Sequence, residues 1–110
     1  MNIMEVDGYR AKIQYDSDTD QFRGEILGLN GSADFYGNSS ADLRNEFRNS
    51  LEVFLEVCAE NEISPIKEYS GKFNLRISSH LHSEIAVRAT GEDKSINQWV
   101  SETLENSIGL

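Results

Sequence analysis

The sequence predicts an α+β protein in which an antiparallel sheet packs on one helix and a smaller β-α-α unit follows. Three observations predict this order. Apolar and polar residues alternate in short runs between residues 9 and 36, as in half-buried strands. Apolar residues recur at helical spacing between residues 43 and 58. The last forty residues then show one alternating run and two helical patterns.

The first alternating run, "YRAKIQY", points Tyr9, Ala11, Ile13 and Tyr15 inward. The polar turn "DSDTD" connects it to "QFRGEIL", which should pair with it as a hairpin. A second turn at "GLNG" leads to "SADFY". We therefore expect a three-stranded antiparallel meander with Tyr15 on its inner face.

A long helix should follow, because Ser39 and Asp42 match a capping box. Its apolar stripe consists of Leu43, Phe47, Leu51, Phe54, Leu55 and Cys58. The outer face carries Glu52, Glu56 and Glu60 at steps of four, which repel one another. This acidic face is either simply solvated or a surface for a partner.

The helical pattern ends before "ENEISPIKEYSG", where Pro65 and Gly71 bracket a stretch without periodicity. Such a stretch is either a linker or a short extra edge strand. We expect a first domain over residues 1–65, a linker over residues 66–71 and a second domain over residues 72–110.

Charge differs strongly between the two parts of the chain, whose net charge is −9. Residues 1–70 hold six Lys or Arg against fourteen Asp or Glu, whereas residues 71–110 hold four against five. An acidic front part repels nucleic acid and favours a basic partner. The single Cys58 and the absence of a signal-like start indicate a cytoplasmic protein, and nothing in the sequence suggests a cofactor or metal.

The run "GKFNLRISS" predicts a strand with two different faces. One face carries Phe73, Leu75 and Ile77, and the other carries Lys72, Asn74 and Arg76. A first helix should end near Gly91, and Ser95 should cap a second. The apolar face of that second helix consists of Ile96, Trp99, Val100, Leu104 and Ile108.

A lone strand leaves its backbone groups unpaired, and so short a unit buries too little surface to fold alone. Pairing with the same strand of a second copy solves both problems. The resulting two-stranded ribbon has the width to enter a DNA major groove, with Lys72, Asn74 and Arg76 displayed twice about a two-fold axis. We therefore expect a homodimer, and a tetramer stays open.

The segment "KFNLRISSHLHSEIAVRATGEDKSINQWVSETL" resembles the ribbon-helix-helix DNA-binding domain. With "GYRAKIQYDSDTDQFRGEILGLNG", the capped helix and "EYSGKFNLRIS" before it, nearly the whole chain resembles the HicB family of antitoxins. The resemblance implies an N-terminal domain with a partial ribonuclease-H-like fold that has lost catalysis. That domain would neutralise a HicA-type toxin, a small basic protein that cleaves RNA, and the C-terminal domain would repress the shared operon.

The resemblance also implies roles for particular residues. Lys72, Asn74 and Arg76 match the positions that read DNA bases, and Ser95 with its neighbours Ile96 and Asn97 matches the helix start that binds phosphate. Arg suits guanine and Asn suits adenine, because each can form two hydrogen bonds with that base. Lys94 is either a further phosphate contact or an exposed loop lysine.

Three sharper interpretations are rejected. Asp16, Asp18 and Asp20 begin like a calcium loop, but Gln21 and Leu27 stand where Gly and Glu should be. The carboxylates of the front part show no spacing that would gather them at a catalytic metal, so we expect no enzyme. His80 and His82 lack further zinc ligands nearby.

One alternative function stays open. The chain could be a stand-alone ribbon-helix-helix repressor whose N-terminal domain binds a ligand or oligomerises. A small basic reading frame beside the gene would favour the antitoxin.

Overall fold

The computed structural model describes residues 2–110, and the chain divides into two compact units, Met1–Ser70 and Gly71–Leu110. The first unit contains β1 (Asn2–Val6), β2 (Tyr9–Asp16), β3 (Gln21–Ile26), β4 (Asp34–Gly37) and α1 (Ser40–Glu60). The second contains α2 (Ser79–Gly91) and α3 (Ile96–Ile108). Within residues 2–110, no helix is both long enough and apolar enough for a bilayer span.

The sheet is antiparallel with strand order β1-β2-β3-β4, so the α+β class is confirmed. The expected three-stranded meander is wrong, because β1 adds a fourth strand that pairs with β2. Asp7 and Gly8, with φ of 53° and 83°, form a two-residue turn between Val6 and Tyr9. An Asp-Gly pair is a strong signal for such a hairpin. The sequence analysis missed it because "NIMEV" is short and only weakly alternating.

Helix α1 covers the sheet with the predicted apolar stripe. Leu43, Phe47 and Leu51 are buried against the sheet, and Phe54 and Leu55 pack at the margin of the same cluster. The free thiol of Cys58 is also buried. These side chains supply the apolar burial that a single-faced sheet requires.

The inward placement of Tyr15 is wrong. This side chain is 59% exposed. It lies near the end of β2, where its ring meets Phe22 edge-to-face at 6.0 Å between centroids. Its hydroxyl donates a hydrogen bond to Asp20 Oδ1 at 2.6 Å, which keeps the polar end of the ring at the turn.

Serine side chains cap all three helices. Ser39 Oγ accepts a hydrogen bond from the Asp42 amide, and Ser95 Oγ accepts one from the Gln98 amide, each at 3.1 Å. These two caps confirm the sequence prediction. The cap of α2, in which Ser78 Oγ accepts from the Leu81 amide, was missed.

The segment after α1 stays attached to the sheet region by a single bridge. Ile66 pairs with Leu29, and the Lys67 amide donates to Gly28 O at 3.1 Å. The Asn30 amide donates to Pro65 O at 2.8 Å. Of the two alternatives for this stretch, the structure therefore shows a one-residue bridge rather than a full edge strand.

The core of the first unit contains a stacked pair of phenylalanines, one of which packs directly over a glycine. Phe35 of β4 stacks on Phe47 of α1 with 4.9 Å between ring centroids. Gly24 of β3 pairs with Phe35. A Cβ atom at Gly24 would lie 2.1 Å from Phe35 Cζ, so only glycine leaves room for the ring.

We predict that Gly24→Ala destabilises the first unit by about 1–3 kcal/mol, which is the usual cost of overpacking a core. The added methyl must displace the Phe35 ring from its stack. Urea unfolding followed by circular dichroism measures the change.

Gly91→Ala is the matched control, because a Cβ atom at Gly91 meets nothing within 4 Å. This control should unfold no earlier than the wild type. Equal urea midpoints for Gly24→Ala and wild type would contradict the packing role of Gly24.

Candidate nucleic-acid interface

The segment between Gly71 and Ser78 lies outside every strand and helix of the structure. All its side chains are exposed, including Phe73 at 76% and Leu75 at 64%. No β-strand or isolated β-bridge within residues 2–110 includes any of these residues. Because a strand exists only through pairing, the expected ribbon stays a prediction about two chains.

This segment borders an apolar groove within the second unit. Phe73, Leu75 and Ile77 line one part of it, and the helices line the other with Ile85, Ile96, Val100 and Leu104. The three apolar strand positions of the sequence analysis therefore border the same groove as the apolar faces of α2 and α3. In residues 71–110, all of which the structure describes, Ala89 is the only buried hydrophobic residue.

Lys72, Asn74 and Arg76, the candidate base-reading residues, lie on this same extended segment. All three are exposed, and Lys72 and Asn74 also contribute to the lining of the groove. The structure thus brings them together along one short stretch of chain. Their common face depends on the strand pairing and is untested.

The start of α3 presents backbone amides, as predicted for a phosphate site. The amide of Gln98 donates a hydrogen bond to the Ser95 side chain. The amides of Ile96 and Asn97 have no acceptor among residues 2–110, as expected for the first turn of a helix. No acidic residue stands in that turn, so the positive end of the helix dipole is available to an anion.

Lys94 lies in a small ionic network that the sequence analysis missed. Its Nζ is 2.5 Å from Glu102 Oε2 and 3.4 Å from Glu92 Oε1. Glu92 also accepts a hydrogen bond from Trp99 Nε1. The network ties the turn after α2 to α3, and its members come together only through the backbone of that turn, where Asp93 has φ of 55°.

The ion pair changes the acidity of both partners. A hydrogen bond from Lys94 lowers the pKa of Glu102 below its ordinary value of 4.5. The hydrogen bond to Glu102 in turn raises the pKa of Lys94. Lys94 is therefore a charged group that already has acceptors before any phosphate arrives.

The rejected sites have ordinary structural surroundings. The "DSDTD" segment forms the turn between β2 and β3, and Asp16 Oδ1 accepts a hydrogen bond from the Asp18 amide at 2.9 Å. His82 lines the apolar groove. Within the part of the chain that the structure describes, no three His, Cys, Asp or Glu side chains could together hold a metal ion.

Comparison with known proteins finds one family. Residues 54–104 match the model of the HicB family, a span that runs from the second half of α1 to the last turns of α3. The match covers just under half of the chain and shows a similarity to the HicB family over that span. It is consistent with a role in a toxin–antitoxin system. Neither the curated proteins nor the solved structures compared with the chain gave a match.

We predict that Glu102→Gln lowers the urea midpoint of the second unit at about pH 7, because it removes the charged partner of Lys94. The folded-state pKa of Glu102 is depressed, so its ion pair stabilises the fold above pH 4.5. That contribution is lost as the pH falls below 4.5 through the folded-state pKa. The difference between variant and wild type should therefore shrink in acid. Fluorescence of Trp99, the only tryptophan, measures both midpoints at one fixed protein concentration.

Glu105→Gln is the control, because Glu105 lies on the same helix and forms no ion pair within residues 2–110. Its midpoint should follow that of the wild type at every pH. A Glu102→Gln effect that stays constant down to acid pH would show that the ion pair is not its cause.

Proposed function

We propose that this protein is a HicB-type antitoxin whose first unit binds a basic RNA-cleaving toxin and whose second unit represses its own operon. One observation carries the proposal. The HicB family match crosses from the acidic first unit into the helix pair with the open groove. The matched span thus includes residues of both units, which supports a chain with two functional parts.

The first step is dimerisation of the second unit. Its groove leaves Phe73 and Leu75 mostly exposed, and Ile96 and Leu104 are 41% and 47% exposed. Leaving such side chains in water forfeits about 25 cal/mol per Å2 of apolar surface. A second copy that pairs its residues 72–77 antiparallel to the first covers this surface and pairs the backbone groups on the facing edges of the two strands.

The second step is DNA reading by the ribbon. Pairing fixes the alternation of the strand, so that Phe73, Leu75 and Ile77 face the helices while Lys72, Asn74 and Arg76 face outward. Two-fold symmetry presents this second set twice to a palindromic operator. Arg76 and Asn74 supply the contacts that distinguish bases, and Lys72 adds a cation at the end of the strand.

The third step is attachment to the DNA backbone. The amides of Ile96 and Asn97 and the cap at Ser95 form a phosphate site at the start of α3. Lys94 contributes to it only by exchanging Glu102 and Glu92 for a phosphate. Because the second unit has a net charge of −1, a lone dimer should bind DNA with modest affinity, and salt should weaken that binding further. Joint binding of several dimers, or of the toxin complex, would raise the affinity.

The first unit acts as a protein-binding module and not as an enzyme. Its net charge is −8, from six cations and fourteen anions in residues 1–70. A basic toxin that binds RNA would meet this unit with complementary charge. Covering the RNA-binding surface of the toxin is sufficient for neutralisation, so the mechanism requires no chemistry from the antitoxin.

The stand-alone repressor is the alternative, and the open groove of the second unit is compatible with both. A small basic reading frame beside the gene, whose product co-purifies with the full chain but not after deletion of residues 1–65, supports the antitoxin. Absence of such a frame favours the repressor.

We predict that Arg76→Ala strongly reduces discrimination between the DNA upstream of the gene and unrelated DNA. Loss of one good bidentate contact to a base costs about 1–3 kcal/mol, and the dimer carries two such arginines. Fluorescence anisotropy of labelled upstream DNA at several salt concentrations measures the loss.

Arg88→Ala removes the same charge from α2, where Arg88 pairs with Glu84 at 3.3 Å. This variant should keep the preference for upstream DNA. A preference for upstream DNA that is unchanged in Arg76→Ala would refute the assignment of Arg76 as a reading residue.

A further inference from the structure

A second groove lies in the first unit, between β4 and α1. β4 is the last strand of the sheet, and within residues 2–110 no strand pairs with its outer edge. Tyr36 of β4 is 40% exposed there. The α1 side of the groove is lined by Glu46, Asn49, Ser50, Val53, Phe54 and Val57.

Helix α1 exposes two valines that its own sheet does not use. Val53 is 61% exposed and Val57 is 50% exposed, whereas Leu43, Phe47 and Leu51 on the adjacent face of the same helix are buried. The two positions are four residues apart and therefore form one continuous apolar strip along the groove. Such a strip beside an unpaired strand edge suits an incoming polypeptide, which can add backbone hydrogen bonds to apolar contacts.

The acidic charge beside this strip is unfavourable in the isolated protein. Glu56 and Glu60 each lie three residues after one of the valines, on the neighbouring face of α1. No basic residue stands in the last turn, so Glu60 faces the negative end of the helix dipole without compensation. A partner with Lys or Arg side chains flanking apolar ones would relieve this repulsion.

Two other occupants fit less well. A second copy of the chain would bring a second set of glutamates to the first, and like charges at an interface oppose association. A small ligand would be enclosed on most sides in an ordinary binding pocket, whereas Val53 and Val57 stand largely in solvent.

We propose that the groove between β4 and α1 docks a segment of a basic protein, with Val53 and Val57 as its apolar contacts and Glu56 and Glu60 as its charged rim. The identification of that protein as the toxin rests on the proposed function. The segment lies along the edge of β4 and places its cations against the last turns of α1.

The test uses the full chain and the labelled product of the small basic reading frame beside the gene. Val53→Lys should weaken binding by at least about 30-fold, the equivalent of one hot-spot contact of 2 kcal/mol. It should fold normally, because the site is exposed and lysine has the higher helix propensity. Val87→Lys is the matched control, since Val87 is a valine on α2 with 64% exposure.

Each outcome separates the claims. Tight binding by wild type and Val87→Lys with weak binding by Val53→Lys supports the groove. Equal binding by all three proteins would contradict the docking site between β4 and α1 but would remain consistent with the proposed antitoxin function. No binding by the wild type would contradict both the proposed antitoxin function and the identification of the docked protein as the toxin. A lower sedimentation mass of Val53→Lys without the partner shows a contact between copies and also overturns the proposal.

Discussion

The forty residues from Gly71 to Leu110 carry more apolar surface than they can bury. Ala89 is their only buried hydrophobic side chain, while Phe73, Leu75 and Leu104 stand open along one groove. The caps of α2 and α3 and the Lys94 network fix the two helices locally, but local hydrogen bonds do not remove apolar surface from water. The unit therefore requires a cover, and residues 72–77 of a second chain have the apolar pattern to supply it.

The first unit buries its apolar surface between its own sheet and α1, and the surface that remains outside is acidic. Its core stack of Phe35 and Phe47 on Gly24 uses one face of the sheet and one face of α1. The remaining faces carry an excess of carboxylates and the strip of Val53 and Val57. One chain thus combines a strongly acidic unit with a nearly neutral one, and this difference in charge supports the two separate tasks proposed for them.

Much of this architecture follows from local sequence, and the failures have physical reasons. The stripe from Leu43 to Cys58 identifies α1 because helical periodicity over about four turns is hard to produce otherwise. The sequence analysis missed β1 because its alternating pattern is short, although the Asp7-Gly8 pair is typical of a hairpin turn. The Lys94–Glu102 pair could not be predicted, since it depends on the backbone path of the turn at Asp93. The strand expected at residues 72–77 requires a partner strand, so a single chain shows only its pattern.

The most direct test of this account is the mass of the full chain in sedimentation equilibrium, beside Leu75→Glu. We expect the wild type to sediment as a dimer or a multiple of it, and Leu75→Glu to lose half of that mass, because a buried unpaired carboxylate opposes strand pairing. Tyr69→Glu, at a side chain with 78% exposure outside the groove, should keep the wild-type mass. A wild-type monomer, or a Leu75→Glu variant with unchanged mass, would contradict the pairing of residues 72–77 between two copies.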